Sequence, residues 1–160
     1  MPNNNCTRII LLALAWLWPL VVTASSGTAP LLTVQNGPGS AQLTLDRQVL
    51  LTLPQASMET RVPWHDEPVR FEGPLLSSLI EHLQIRGDTL VVTGLDGYST
   101  RVSLAESDAM RAMLAHRGNG KPLNVREFGP LLLLYPEGHG LSSQQRLFRT
   151  VWQVTHIDVE

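Results

Sequence analysis

The chain has 160 residues, 43% of them hydrophobic, with a formal net charge of −2 at pH 7 and a single cysteine. No basic surplus is present, so nucleic acid and anionic membrane surfaces are not expected partners. One thiol, Cys6, excludes an internal disulfide framework as well as the thiolate zinc sites and iron–sulfur clusters that need several thiolates.

The amino terminus has the pattern of an export signal. An apolar block, residues 9–22, follows the basic residue Arg8 and precedes a run of small polar residues. The block is shorter than the roughly 20 residues that cross a bilayer as a helix, so a permanent membrane anchor is the weaker alternative. We expect a signal peptide over residues 1–24, with cleavage after Ala24 or else Ser26. The mature protein would then be periplasmic or secreted, without any thiol, and without a stable membrane anchor.

The remainder divides into a leader and one domain. Residues 25–40 are rich in Gly, Pro, Ser and Thr and predict a flexible leader with at most one short strand, over 31–34. Residues 41–160 predict one α+β domain, because short apolar strands alternate with brief helices and turn residues recur at short intervals. The domain is long enough to form a core without disulfides.

Two helices are predicted early in this domain. Asp46 is placed as the N-cap of a short helix that Pro54 ends. A second helix is predicted to open with Pro74 at its first position, and leucines then recur on one face up to Leu83. Gly87 is predicted to end it in a left-handed conformation.

The following segments predict strands. Residues 89–93 and 98–104 flank a glycine-containing turn and form a hairpin with one buried face. Residues 110–116 suit either a strand or a helix. The fully apolar segment 131–135 lies between two prolines and predicts a central strand. Residues 151–159 change parity partway, which indicates a bulge. The sum is a mixed sheet or barrel with a few short helices.

Taken in order, the turns and aromatic residues of this domain resemble a known family. The pattern consists of Thr60 with Pro63-Trp64, Phe71-Glu72-Gly73-Pro74-Leu75-Leu76, Asp96-Gly97-Tyr98, Gly120-Lys121-Pro122-Leu123, Gly129-Pro130-Leu131, Tyr135-Pro136 and Trp152-Gln153-Val154. Over residues 44–159 this order and spacing are similar to the oxidoreductase molybdopterin-binding domain, the sulfite-oxidase-like fold, in its short exported versions. The resemblance implies a sulfite-oxidase-like α+β fold and a pocket for molybdopterin.

The resemblance also implies a molybdenum-binding cysteine ahead of the Trp and Gly-x-x-Leu segments. Residues 31–71 contain no cysteine, and the hydroxyl, carboxylate and imidazole groups present are harder donors than a thiolate. Sulfite-oxidase-type chemistry is therefore not expected. The first hypothesis is an exported, non-catalytic domain with a degenerate cofactor site, which binds a small ligand or an envelope protein through the family pocket.

Two further hypotheses stay open. One is a molybdopterin-dependent oxidoreductase whose cofactor is held by hydrogen bonds and arginines, with a non-cysteine metal ligand or none. The other is a structural accessory subunit of an envelope complex, which predicts an exposed apolar patch. The absence of a nucleophile elbow, a phosphate loop or a paired-carboxylate motif leaves hydrolase and nucleotidyl chemistry without support.

The resemblance makes Arg61, Trp64 and His65 the candidate cofactor-binding residues, and it assigns no catalytic residue or metal ligand. Read from the residues alone, Trp64-His65-Asp66-Glu67 suits either a pocket mouth that binds a cation or a solvated loop in which only Trp64 packs inward. The loop Glu137-Gly138-His139-Gly140 suits either a gate or a plain surface turn.

Further charged and aromatic residues are candidates either for a binding site or for ordinary structural roles. A phosphate or carboxylate site and scattered surface positions both suit the four arginines Arg61, Arg70, Arg101 and Arg126. Three histidines match no zinc-ligand spacing and are expected to be isolated: His116, His139 and His156. Tyr98 and Trp152 are expected to be core or rim aromatics at strand ends.

Overall fold

The structure, a computed structural model, describes residues 29–160. The predicted signal peptide and the first part of the predicted leader lie outside the described residues. Within residues 29–160, no helix is both long enough and apolar enough to span a membrane.

Short strands and short helices alternate along the chain, as the pattern of turn residues predicts. The elements are β1 Leu32–Gln35, β2 Gln42–Leu45, α1 Arg47–Thr52, β3 Gln55–Thr60, β4 Val69–Pro74, α2 Leu76–His82, β5 Thr89–Gly94, β6 Ser99–Ser103, α3 Leu104–Ala109, β7 Met113–Ala115, β8 Arg117–Gly118, β9 Lys121–Pro122, a 3₁₀ helix Val125–Glu127, β10 Leu132–Leu134, α4 Ser143–Arg149 and β11 Val154–Val159. The predicted α+β class, with mixed sheets and a few short helices, is confirmed.

The largest sheet has five strands in the order β2-β1-β11-β5-β6. Only the β1–β11 pair is parallel, and the other neighbours are antiparallel. Leu32 and Val34 of β1 are buried, because alternate residues of a strand point to the same face. The strand predicted over 31–34 is thus present one residue further along. It is an internal strand of the main sheet, so this part of the predicted flexible leader is structured.

A smaller antiparallel sheet, β3-β4-β8-β9, lies beside a two-stranded sheet made of β10 and β7. The side chains of β10 alternate between two buried clusters. Leu131, Leu133 and Tyr135 belong to the cluster on the five-stranded sheet, whereas Leu132 and Leu134 belong to the cluster on the smaller one. A strand that is buried on both faces has a continuous apolar sequence, which confirms that this segment is a buried strand. Its predicted central place in a sheet was wrong, because β10 pairs with β7 in a two-stranded sheet.

The predicted helices are present, with two corrections. Asp46 caps α1, accepting a hydrogen bond from the Val49 amide at 2.9 Å. Helix α2 begins at Leu76, because Pro74 is the last residue of β4 and pairs with Gln55. The prediction of proline at the first helical position was therefore wrong.

The end of α2 also differs from the prediction. The left-handed residue after this helix is Gln84, with a φ of 51°, and not Gly87. At Gly87 there is no room for a side chain, since a Cβ would lie 2.5 Å from a side-chain carbon of Val159.

The predictions for the later strands hold. The hairpin β5–β6 is confirmed, and β11 carries the expected irregularity, a register shift between Val154 and His156. Of the two alternatives for residues 110–116, the strand is correct for Met113–Ala115.

Candidate functional site

A cleft of about 620 Å³ opens where the end of β3, the loop that follows it, the end of β10 and helix α4 meet. This volume lies in the range of roughly 300–1,000 Å³ that is usual for small-molecule sites. The cleft's lining mixes aliphatic and aromatic side chains with a few charged ones. The candidate site is therefore the junction of one strand end, two loops and one short helix.

The loop after β3 is held in place by two buried residues, one on each side of Arg61. Thr60, the last residue of β3, is buried, and Val62 packs into the smaller core. The His65 amide donates to the Val62 carbonyl oxygen at 3.1 Å, which closes a turn between them. Arg61 and His65 are consequently exposed on the cleft side, while the backbone between them is fixed by burial.

Trp64 leaves the loop toward the protein and joins an aromatic triad with Phe128 and Trp152. The ring centroids of Trp64 and Phe128 are 4.5 Å apart, those of Phe128 and Trp152 4.7 Å, and those of Trp64 and Trp152 5.4 Å. Tilted and edge-on rings at these distances attract one another beyond their burial. The triad holds the loop in place, in agreement with the expectation that Trp64 packs inward.

Helix α4 supplies the buried cation of the cleft, Arg146. Ser142 caps this helix in a reciprocal capping box with Gln145. The Arg146 side chain is only 11% exposed. Its Nη1 donates to the Thr60 hydroxyl at 2.8 Å, and its Nη2 donates to the Ser143 hydroxyl at 3.2 Å. The guanidinium thus connects α4 to the end of β3.

Glu137 lies at the rim of the cleft and bridges two of its walls. Its Oε1 accepts from the Arg61 amide at 3.3 Å and lies 3.5 Å from Nη2 of Arg146. The loop that follows contains Gly138 and Gly140, both with positive φ. The segment predicted as a gate or a surface turn therefore contributes its first residue to the cleft.

All three predicted site residues, Arg61, Trp64 and His65, line this one cleft, and Asp66 lines it with them. Their binding of a pterin stays a prediction. Arg146 was not predicted as a site residue, and Glu137 was indicated only as the first residue of the loop 137–140. A helix over 143–149 was not predicted, although the Ser142-x-x-Gln145 pattern of a capping box would have indicated one.

The other arginines do not converge on the cleft. Arg70 donates to the Ser57 hydroxyl, and Arg101 pairs with Glu160 at 3.2 Å. Arg126 is an exposed residue within the 3₁₀ helix. The interpretation as scattered surface positions is correct for these three.

The histidines also lie apart. His116 Nε2 is 2.9 Å from the Gln55 side-chain oxygen, His139 Nδ1 is 3.0 Å from the Glu137 carbonyl oxygen, and His156 lies beside Thr155. Among residues 29–160, no three His, Cys, Asp or Glu side chains are grouped to hold a metal ion.

The cleft residues fit the organic part of a molybdopterin better than its metal. Guanidinium, hydroxyl and backbone N–H groups donate to the oxygens of phosphates and pterins, and Trp64 adds an aromatic edge. Among residues 29–160, the lining contains carboxylates and an imidazole, which are hard or borderline donors, but no thiolate. The donor set does not fit a soft thiolate-bound metal.

Known protein structures include one with a similar fold. The crystal structure of the sulfane dehydrogenase SoxCD from Paracoccus pantotrophus matches with a TM-score of 0.57 at 18% sequence identity. The match covers 80% of this chain but only 37% of the dehydrogenase chain, so this chain spans little more than a third of that protein's length. No curated protein matches the chain in sequence. The model of the family described as the oxidoreductase molybdopterin binding domain matches residues 46–155, more than half of the chain, and the chain therefore belongs to this family.

Proposed function

We propose that this protein is an exported, non-catalytic member of the family that uses the cleft between β3 and α4 to bind a small polar ligand. The observation that carries this proposal is the composition of the cleft. Its lining has the volume and polarity of a ligand site, with Arg61, Arg146 and Trp64 on its walls, but no thiolate to hold a metal.

The donor groups in the cleft support a non-catalytic role. A thiolate gives molybdenum a soft, anionic ligand that hydroxyl, imidazole and carboxylate groups do not replace in kind. The lining hydroxyls of Thr60 and Ser143 already accept hydrogen bonds from Arg146. The Thr150 hydroxyl donates to the Arg146 carbonyl oxygen. A ligand in this cleft would be held and released, with no group placed to transfer electrons to or from it.

Native mass spectrometry of mature protein purified from a bacterial periplasm tests ligand binding. We expect a small-molecule adduct on the wild type, or its formation on adding the low-molecular-weight fraction of a periplasmic extract. Trp64→Ala should lose the adduct because the loop is no longer held by the aromatic triad. The control Leu43→Ala, on exposed strand β2 away from the cleft, should keep it. A wild type without any adduct under both conditions would contradict the proposal.

A second candidate function is a molybdopterin-dependent oxidoreductase, which family membership favours. In that case the guanidinium and backbone donors of the cleft would hold the cofactor, and its metal would have a non-cysteine ligand or none. Reduction of an artificial electron acceptor by protein from a molybdenum-replete host would support it. Protein without such activity and without molybdenum would exclude it.

A third candidate is an accessory subunit of an envelope complex, which an exposed apolar surface favours. This apolar surface consists of four side chains that are 37–62% exposed: Tyr98, Leu147, Phe148 and Trp152. Leu147 also lines the cleft, so the two features adjoin. Cross-linking in whole cells should recover one larger partner that Phe148→Asp loses. A monomer without cross-linked partners would count against this role.

A further inference from the structure

We infer that the cleft is an anion-binding site built on Arg146, and that Glu137 occupies it as an internal carboxylate which an anionic ligand displaces. This inference rests on the proposed function and deepens it, because it names the ligand class. The ligand would be a small molecule that carries a carboxylate or a phosphate group.

The positive charge of Arg146 is incompletely neutralised. Its side chain is nearly buried, and its two shortest contacts are with the neutral hydroxyls of Thr60 and Ser143. Its one carboxylate contact, with Glu137, is 3.5 Å long, whereas charge-assisted hydrogen bonds between these groups are usually about 2.7–2.9 Å. A buried cation with so weak a partner is costly, and a closer anion would relieve the cost.

One edge of the guanidinium is suited to a planar or tetrahedral anion. The edge that carries Nε and Nη2 matches two oxygens of one carboxylate or phosphate. Nε is buried and has no hydrogen-bond partner among residues 29–160, and Nη2 has the long contact with Glu137 besides its hydrogen bond to Ser143. A bound anion would take over the contact of Nη2 with Glu137, and movement of the side chains that cover Nε would add a donor that currently lacks a partner in this part of the chain.

Glu137 is placed to act as the internal occupant. Its carboxylate reaches both Nη2 of Arg146 and the backbone N–H of Arg61, which are two donors that an external anion would use. Its side chain is 49% exposed, so both long contacts compete with water and hold it weakly. Glu137 is followed by Gly138, whose positive φ of 80° favours glycine and whose Cβ position faces open space. The carboxylate is free to turn outward without disturbing the core.

The remaining charges of the cleft fit a small anion. Arg61 and His65 lie on the same loop at the rim, and Asp66 is the one further carboxylate in the lining. Among the lining residues in 29–160, displacing Glu137 into solvent would leave two guanidinium groups, of Arg61 and Arg146, and one carboxylate, of Asp66. The local balance then favours a ligand with one or two negative charges.

Titration of mature protein with inorganic phosphate and with succinate, followed by NMR at the Arg61 amide and the Trp64 indole, tests the inference. Glu137→Gln removes the internal carboxylate and keeps the side-chain shape. We expect it to bind at least one of the two anions about tenfold more tightly than the wild type, as removal of a competitor predicts. Arg146→Gln should abolish saturable binding.

Glu106→Gln is the matched control. Glu106 has a similar exposure, pairs with Arg149 at 3.3 Å, and lies outside the cleft lining. Its substitution changes the net charge by the same amount, so the affinity of this variant for either anion should stay within about twofold of the wild type, as expected for a solvent-exposed charge outside the lining. Equal tightening in Glu106→Gln and Glu137→Gln would show a general charge effect and overturn the inference.

Two further results would overturn it. One is equal affinity in Glu137→Gln and the wild type, and the other is no saturable binding of either anion to Glu137→Gln. Because Glu137 is half exposed, this variant should fold even if Arg146→Gln does not, so it decides the matter alone. Tighter phosphate binding would assign a phosphorylated ligand, and tighter succinate binding would assign a carboxylate.

Failure of this inference and failure of the proposed function would give different experimental results. A ligand retained in native mass spectrometry, combined with no anion binding, would leave the proposed function standing with an uncharged ligand. Stoichiometric molybdenum would overturn the proposed function but would not alter the comparison between Glu137→Gln and Glu106→Gln.

Discussion

The buried hydroxyl of Tyr135, the residue directly after β10, affects the stability of the protein. Tyr135 is 2% exposed, and its hydroxyl has no hydrogen-bond partner among residues 29–160. Burial raises the pKa of Tyr135 to about 12, and the nearby positive charge of Arg149 acts in the opposite direction. The protonated form is therefore strongly favoured in the folded state.

This shift predicts a loss of stability at high pH. The unfolded tyrosine loses its proton above about pH 10, whereas the folded one retains it until about pH 12. The folded state then binds more protons, so the free energy of unfolding falls as pH rises through this window, by roughly 3 kcal/mol in all. Urea unfolding at pH 9 and pH 11 should show about half of this fall.

Tyr135→Phe is the variant that isolates this group. It removes an unsatisfied buried hydroxyl, so the free energy of unfolding at pH 7 should rise by about 1 kcal/mol. It should also lose the part of the alkaline fall that Tyr135 causes. A variant less stable at pH 7, with an unchanged alkaline fall, would contradict both expectations.

The lowered pKa of His116 predicts a loss of stability at acid pH. Burial lowers the pKa of His116 below its usual 6.5, and the positive charges of Arg47 and Arg117 lower it further, against a smaller effect of Glu72. The unfolded histidine gains a proton as pH falls through 6.5, while the folded one resists protonation. The free energy of unfolding should thus decrease below about pH 6.5. His116→Gln should make the profile between pH 7 and pH 5 flatter in urea unfolding, and an identical profile would refute this role.

At the scale of elements, the contact between β4 and β7 depends on one missing side chain. A Cβ on Gly73 would lie 2.1 Å from the Leu114 carbonyl oxygen, which is backbone and has no room to move. Gly118, on the adjacent strand β8, would place its Cβ 3.2 Å from a flexible carbon of Leu123. The two glycines are therefore a matched pair with different steric demands.

We expect Gly73→Ala to destabilise the protein by roughly 3 kcal/mol or to prevent folding, because overpacking against backbone forces the strands apart. Gly118→Ala should cost roughly 1 kcal/mol or less, since Leu123 can shift. Thermal unfolding of both variants measures the difference. Equal stability of the two would show that β4 and β7 are not in such close contact.

Elements with a simple local signal were predictable from the sequence. The hairpin β5–β6 follows from alternation, and the N-cap of α1 follows from Asp46 before an apolar repeat. The start of α2 was misplaced because Pro74 suits a first helical turn as well as a strand end. The pairing of Pro74 with Gln55 decides between the two, and that contact lies outside any local window.

The site was predictable only in part, for a similar reason. Arg61, Trp64 and His65 lie on one loop, so a single stretch of sequence indicates them. Arg146 reaches Thr60 across 86 positions of sequence, and Glu137 reaches Arg61 across 76. Such pairs depend on how the two cores bring β3, β10 and α4 together. Charge and periodicity within each segment do not contain that information.

For the whole molecule, the family fold positions a cleft whose lining, among residues 29–160, contains no thiolate. The two buried clusters share the strand pair β7–β10, which fixes the small sheet against the large one and shapes the cleft at their junction. Packing between these clusters thus positions the elements that line the cleft. Our proposal requires only that this packing be kept when the redox chemistry is lost.

The most direct test of a metal-free ligand site is the molybdenum and pterin content of mature protein exported by a molybdenum-replete bacterial host. Molybdenum is measured by elemental mass spectrometry and oxidised pterin by fluorescence. We expect far less than one equivalent of molybdenum per chain, together with a folded protein that binds a small ligand in the cleft. Near-stoichiometric molybdenum with pterin would contradict this expectation and would make this protein a cofactor-loaded oxidoreductase.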